Sequence, residues 1–276
     1  MSEQAMSEHA DEQARSEQRV ALVTGAGRGI GAATARALAG EGYAVVAVDI
    51  CAPIDALGYE LSSRAELDAV VADCGPDSIA VTADVRSSDD LDAAVRAAVE
   101  RFGGLDIAVA AAGVMAGGST AWRADDDVWN VNIDVNLSGV WRTARATVPV
   151  MLRRPEPRQG RFVAIASAAG MGGHPTISAY CAAKHGVIGL VRSLASELGQ
   201  TGVTANAICP GSTDTGILRA SGDVYGLSSV DEFAVHHPIG RILQPAEIAR
   251  AVVWLADPSA GGVTGASFPV DGGMTI

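Results

Sequence analysis

From Arg19 onward the chain alternates short apolar runs with longer stretches of helical spacing, and that alternation leaves few folds open. The runs RVALVT, YAVVAVDI, SIAVTADV, LDIAVAAAG, RFVAIAS, VTANAICPG and ASFPVDGG read as buried strands bounded by turn formers. Between them, Ile30 to Glu41, Ser63 to Cys74, Ser88 to Phe102, Val128 to Leu152, Ser178 to Leu198 and Pro245 to Leu255 carry apolar residues at helical spacing. The pattern predicts one α/β domain over residues 19–276: a doubly wound parallel sheet with helices on both faces and right-handed crossovers. Only 4% of the 276 residues are aromatic while 48% are hydrophobic, so the core must be alanine, valine, leucine and isoleucine.

Charge and cysteine usage narrow the partners. The formal net charge of −12 disfavours nucleic acid and anionic membranes. Cys51, Cys74, Cys181 and Cys209 have neither metal spacing nor a paired framework; they read as reduced thiols of a cytoplasmic protein, with no metal site. The longest apolar run, Ile107 to Gly118, is too short to cross a bilayer. Residues 1–18, MSEQAMSEHADEQARSEQ, are acidic and lack the apolar stretch of a secretory signal; a disordered tail is expected there.

The first strand runs directly into TGAGRGIG, Thr24 to Gly31, and then into a helix. Gly25, Gly29 and Gly31 have the spacing G-x-x-x-G-x-G. Glycines there permit a tight turn and close backbone approach, and the helix amino terminus suits a pyrophosphate. A glycine loop alone is a weak signal; its place between strand and helix strengthens it. Asp49 ends the second strand, eighteen residues after Gly31. A carboxylate there accepts from the adenosine ribose hydroxyls and repels a 2′-phosphate, which favours NAD over NADP. Arg28 is the counter-signal, as a cation in the loop suits a phosphate. Asp84, ending the third strand, is placed to hydrogen-bond the adenine. The expectation is a Rossmann fold.

Lys184 is the chain's only lysine, and it follows Tyr180 by four residues in YCAAK. Side chains four apart face each other along a helix. A free tyrosine titrates near 10, so acid–base work at neutral pH needs a downward shift of about 3 units. A neighbouring ammonium favours the phenolate and supplies part of it. Ser167, thirteen residues before Tyr180, closes the fifth strand and points into the crevice where such sheets bind ligands.

Together these residues resemble the short-chain dehydrogenase/reductase family. The matches are TGAGRGIG, Asp84-Val85, DVNLSG at Asp134 to Gly139, Ser167, YCAAK, NAICPGSTDT at Asn206 to Thr215, and a VTG…VDGG ending. The resemblance implies that Tyr180 is the catalytic acid/base and that Ser167 orients the reacting oxygen. Lys184 would lower the tyrosine pKa and hold the nicotinamide ribose, and Asn136 would support a water relaying protons to Lys184. Cofactor contacts would come from Gly25, Arg28, Gly29, Ile30, Gly31, Asp49, Ile50, Asp84, Val85, Ala111, Ala112, Gly113, Tyr180, Lys184, Pro210, Gly211, Thr213 and Thr215. One departure stands out: the family's usual Asn-Asn-Ala-Gly is here Ala110-Ala111-Ala112-Gly113, which removes a strand-tying asparagine. The resemblance also implies a homotetramer assembled through the helices at Val128 to Leu152 and Ser178 to Leu198.

A narrower resemblance rests on VDICAP, RRPEPRQGRF, AYCAAKHGV and the long connection Ala52 to Arg64. These are similar to the mycofactocin-associated subset, which implies a buried, poorly exchanging NAD re-oxidised in place by a peptide-derived electron acceptor. Residues 212–238 should cover the substrate, offering Ile217, Leu218, Tyr225, Leu227 and Phe233, with His236 and His237 as loop polar residues. The expected activity interconverts an apolar alcohol and its carbonyl. Two rivals remain: a freely exchanging NAD(P)-linked carbonyl reductase, and a non-catalytic NAD(H)-binding sensor on the same fold.

Overall fold

The computed structural model describes residues 18–276. The tail expected over residues 1–18 lies outside them except for Gln18, whose amide donates to the Gly42 carbonyl at 3.1 Å. Among the described residues, seven strands form one parallel sheet: β1 (Val20–Thr24), β2 (Ala44–Asp49), β3 (Ser78–Thr82), β4 (Ile107–Ala110), β5 (Arg161–Ile165), β6 (Thr204–Pro210) and β7 (Ser267–Val270). Their order is β3-β2-β1-β4-β5-β6-β7, so the winding direction reverses between β1 and β4. The expected doubly wound α/β architecture is the one observed.

Both faces are covered, as continuous apolar strands require. Ala21, Val23, Val45 and Val109 face α1 (Gly29–Gly40), α2 (Arg64–Cys74) and α8 (Pro245–Ala256) through Leu38, Leu67, Ile248 and Leu255. Val20, Leu22 and Val46 face α3 (Ser88–Phe102) through Leu91 and Val95. Ala108, Phe162 and Ala205 meet α5 (Gly139–Met151) and α6 (Ser178–Glu197) through Val140, Val187 and Val191. Small side chains let these layers approach closely. Local signals set the ends: Ser63 and Glu66 form a reciprocal capping box at the start of α2, and Gly103 closes α3 at φ +78°.

Two elements differ from the sequence expectation. The single helix expected over Val128 to Leu152 is broken by one π turn: α4 (Asp126–Ile133), the turn Asp134–Ser138, then α5. The expected cover folds into α7 (Gly216–Tyr225) and a short 3₁₀ turn, Val230–His236. Thr215 caps α7 by accepting from Leu218, and Ser229 with Glu232 boxes the turn. No described helix is long and apolar enough to cross a membrane.

Candidate active site

A cleft of about 540 Å³ opens at the carboxyl edge of the sheet, over the reversal between β1 and β4. The glycine loop forms its floor. Gly25 has φ +67°, and a Cβ on it would stand 2.6 Å from the Ala112 Cα. A Cβ on Gly31 would run into the Gly25 carbonyl oxygen. α1 starts here with no side-chain cap and no acid in its first turn, so its free N–H groups are left for an anion. Of the residues expected at the site, all but Asn136 line this cleft. The floor and the carboxylate at its end fit a dinucleotide.

That carboxylate is already well held. Asp49 is 7% exposed; one oxygen accepts from the Gly27 N–H at 2.9 Å, the other from the Ser62 hydroxyl at 2.5 Å and the Cys51 N–H at 3.3 Å. An ionised carboxyl offers about four acceptor positions, so one direction stays open toward the cleft. Asp84 lines the cleft, but its carboxylate is engaged by Arg86 at 2.7 Å, which leaves it less free for an adenine than expected. Arg28, read from sequence as a possible phosphate ligand, donates instead to the Glu60 carbonyl at 2.6 Å.

Ser62 and Glu60 belong to the long connection between β2 and α2, which crosses the cleft as a strap. Ile54, Leu61 and Ser62 line the cleft from above. Further along, the Tyr59 hydroxyl accepts from the Met115 N–H at 2.9 Å, on the loop after β4. The strap is thus fastened to Asp49, to Arg28 and to the wall of the opposite half.

Ser167 follows β5 and caps the turn Ala168–Gly170, accepting from the Ala169 N–H at 3.1 Å. Tyr180 lies in the first turn of α6, and Lys184 follows one turn later with its nitrogen 5.6 Å from the tyrosine ring centroid. The ammonium, 3% exposed, donates to the Ile165 carbonyl at 2.8 Å. Burial pushes the Tyr180 phenol up to about 12, opposed by a contact with the Ser167 hydroxyl. Burial also brings Lys184 down to about 8. Desolvation is the leading influence on the tyrosine here, and the opposing one is the Ser167 hydroxyl. The same desolvation that hides the phenol weakens the ammonium meant to help it.

Asn136 sits in the π turn, and both ends of its side-chain amide are hydrogen-bonded. Its Oδ1 accepts from the Val114 N–H at 3.0 Å; its Nδ2 donates to the carbonyls of Val114 and Asn132, both at 2.9 Å. Its side chain fixes the loop after β4 and does not line the cleft. Lys184 remains close: a Cβ on Gly113 would stand 3.2 Å from Asn136 Oδ1 and 3.8 Å from Lys184 Nζ.

Comparison with known proteins agrees with this geometry. The sequence model of a family described as enoyl-(acyl carrier protein) reductase matches residues 25–275. The chain belongs to the short-chain dehydrogenase/reductase family. It is 38% identical to a (−)-trans-carveol dehydrogenase of Rhodococcus erythropolis over 95% of this chain and 99% of that protein. It is also similar to a carveol dehydrogenase of Mycobacterium avium solved in complex with NAD: TM-score 0.87, 35% identity, 93% of this chain and 97% of that one. An actinorhodin polyketide ketoreductase solved with NADPH gives a TM-score of 0.83 at 34% identity, covering 94% of this chain and 98% of the other. The chain is an oxidoreductase of this family, and its structural neighbours carry both kinds of nicotinamide cofactor.

Where the family's asparagine is missing after β4, Thr24 still ties the loop to β1. Its hydroxyl accepts from the N–H groups of Ala111 and Ala112 at 3.1 and 3.2 Å. Sequence reasoning missed this threonine, although its place directly before Gly25 marks it as a strand-end hydroxyl. It also missed Ser62 and Tyr59, which carry no motif. His237, expected to be an ordinary loop residue, is 3% exposed and accepts from the Ser212 N–H at 3.2 Å through Nε2. It pins the start of the cover, while His236 remains at the cleft.

Proposed function

We propose that this oxidoreductase interconverts an apolar alcohol and its carbonyl with NAD held under the strap and slow to exchange. The observation that carries the reading is that Ser167, Tyr180 and Lys184 border one end of a cleft whose other end is the Asp49 carboxylate. NAD supplies the hydride acceptor when bound. Asp49 would receive the adenosine ribose, the glycine loop and α1 the pyrophosphate, and Lys184 the second ribose, with Thr213 and Thr215 alongside. The Ser167 hydroxyl orients the substrate oxygen. Tyr180 takes the alcohol proton in oxidation and returns it in reduction. A raised phenol pKa suits the donor role, and oxidation then draws on the small phenolate fraction.

Ile177, Ile217, Leu218, Leu227 and Phe233 give the substrate side an apolar lining. That composition favours a terpenoid-like or aliphatic alcohol, in keeping with the carveol dehydrogenases among its relatives. The Asp49 charge and the engagement of Arg28 by Glu60 argue against NADP. The complete Ser167, Tyr180 and Lys184 set argues against a non-catalytic sensor. Strap fastening at both halves supports membership of the mycofactocin-associated subset and re-oxidation by its electron acceptor. We also place the protein in a reducing, cytoplasmic setting on its unpaired cysteines, and as a homotetramer through the α4–α6 face, where Trp129 and Trp141 are exposed. Residues 19–276 act as one unit, with 212–238 as cover.

The test is cofactor retention and turnover. NAD should survive purification at close to one per chain, and added alcohol should reduce it once and then stall in excess free NAD. An artificial acceptor should restore turnover. Steady turnover with free NAD alone would reject retention, and tighter binding of NADP than of NAD would reject the role of Asp49.

A further inference from the structure

The strap travels further than covering the adenosine half requires. It leaves Asp49, crosses the cleft to the substrate side and returns to Asp49 through Ser62. Tyr59 marks the far point. Its hydroxyl holds the Met115 N–H at 2.9 Å, and its ring packs in a cluster with Met115, Ile177, Tyr180, Ile217 and Val224. Met115, Ile177, Tyr180 and Ile217 line the cleft, whereas Tyr59 does not. Burial raises its phenol pKa, so it stays neutral.

This arrangement has a steric consequence. Met115 lies on a stretch after β4 without regular structure, and its thioether is the most adaptable of the apolar side chains. Asn136 holds the Val114 peptide groups on one side of it and Asn132 the Ala116 carbonyl on the other, which leaves the Met115 N–H and side chain to be held from elsewhere. The Tyr59 hydroxyl fixes the Met115 peptide, and its ring packs in the same apolar cluster as Met115 and Ile217. Close-packed interiors pass a displacement on to the next layer.

We propose that Tyr59 is a specificity-determining positioning residue: by packing with Met115 and Ile217 it sets the distance between the apolar wall and the Ser167 and Tyr180 hydroxyls, and so the bulk of alcohol admitted. The strap then selects substrate as well as covering cofactor. This rests on reading the cleft as an alcohol site.

The test uses the NAD-loaded protein and single-turnover reduction of its bound cofactor, so strap opening does not enter. Two secondary alcohols are compared, one small and one with a bulky ring. Tyr59→Ala should move the ratio of their efficiencies about tenfold toward the bulky alcohol, and Tyr59→Trp should move it the other way. Tyr59→Phe, which keeps the ring, should change it by less than about threefold. A residue that merely supports the fold would slow both alcohols alike, so an unchanged ratio in the alanine and tryptophan variants overturns the proposal. If the alanine variant fails to fold, the tryptophan variant decides alone. If the unaltered protein oxidises neither alcohol, that failure counts against the alcohol reading. The size rule is then decided by calorimetric binding of the matching ketones to NADH-loaded variants: a shifted preference supports it and an equal one overturns it.

Discussion

Two segments close the cleft, and they are held by different balances of polar and apolar contact. The strap, residues 50–63, is fastened by directed polar contacts: Ser62 to Asp49, Arg28 to Glu60, and Met115 to Tyr59. The cover, residues 212–238, has two polar ties, Ser212 to His237 and Tyr225 to the Pro175 carbonyl, and otherwise meets the cleft through an apolar seam. Leu218, Phe233 and Ile242 form a small cluster, and Tyr225 meets Phe233 edge-on at 6.2 Å. Charge-assisted hydrogen bonds are directional and hold one geometry, whereas apolar contacts tolerate sliding. On the proposed function, the difference suits a clasp on the cofactor side and a more yielding lid on the substrate side.

Removing the chemistry should leave both closures intact. Tyr180→Phe is expected to cut hydride transfer by about a thousandfold with bound NAD retained, measured by single-turnover absorbance and by analysis of denatured extracts. The strap comes next. Deleting residues 52–58 should speed NAD release by about tenfold or more while single-turnover rates change less than threefold, as exchange needs local opening and hydride transfer does not. Equal slowing of both would erase the distinction between clasp and lid. On the cover, Phe233→Ala should raise KM for an apolar alcohol by about tenfold with NAD retention unchanged, since the lost ring served only the seam. Loss of NAD from that variant would show that the two closures open together.

The pH profile gives a smaller, graded effect. With Tyr180 at about 12 in this structure, alcohol oxidation should climb as pH rises above neutrality, because more phenolate becomes available. Lys184, whose folded pKa near 8 lies below its ordinary 10.5, loses its charge over the same range. Its burial therefore costs stability below pH 8, and that cost is relieved as pH rises from about 8 to 10.5. A Lys184→Met variant should lose this rise in denaturant titrations taken across those pH values. The smallest effect belongs to the cover's outer surface: Arg219→Ala breaks an exposed pair with Asp214 at 3.0 Å and should change stability by less than about 0.5 kcal/mol.

The sheet was legible because strands buried on both faces read as unbroken apolar runs, as β2 does in AVVAVD. The site residues were legible where chemistry demands a particular type at a particular spacing, as with Tyr180 and Lys184. The π turn was not read, although its signal is present. Buried pairs recur every four residues at 131/132, 135/136, 139/140 and 143/144. In a regular helix four residues overshoot a full turn by about 40°, so such a stripe drifts off the core unless the winding slows. The strap's fastenings were invisible for a different reason: a serine, a tyrosine and a backbone carbonyl in an irregular segment have no periodicity, and their partners lie far away in sequence. Spacing conveyed the proximity of Lys184 to Tyr180 but said nothing about the desolvation of both groups.

Having one lysine, buried under the clasp and the lid, gives this protein a built-in chemical reporter. Acylating reagents attack neutral amines, and a side-chain amine titrating near 8 is largely neutral in mildly alkaline buffer. Every other basic side chain of the Lys/Arg class is arginine and inert to such reagents. Acylation of Lys184, followed by peptide mass, therefore counts the moments at which the cleft stands open to a molecule larger than water.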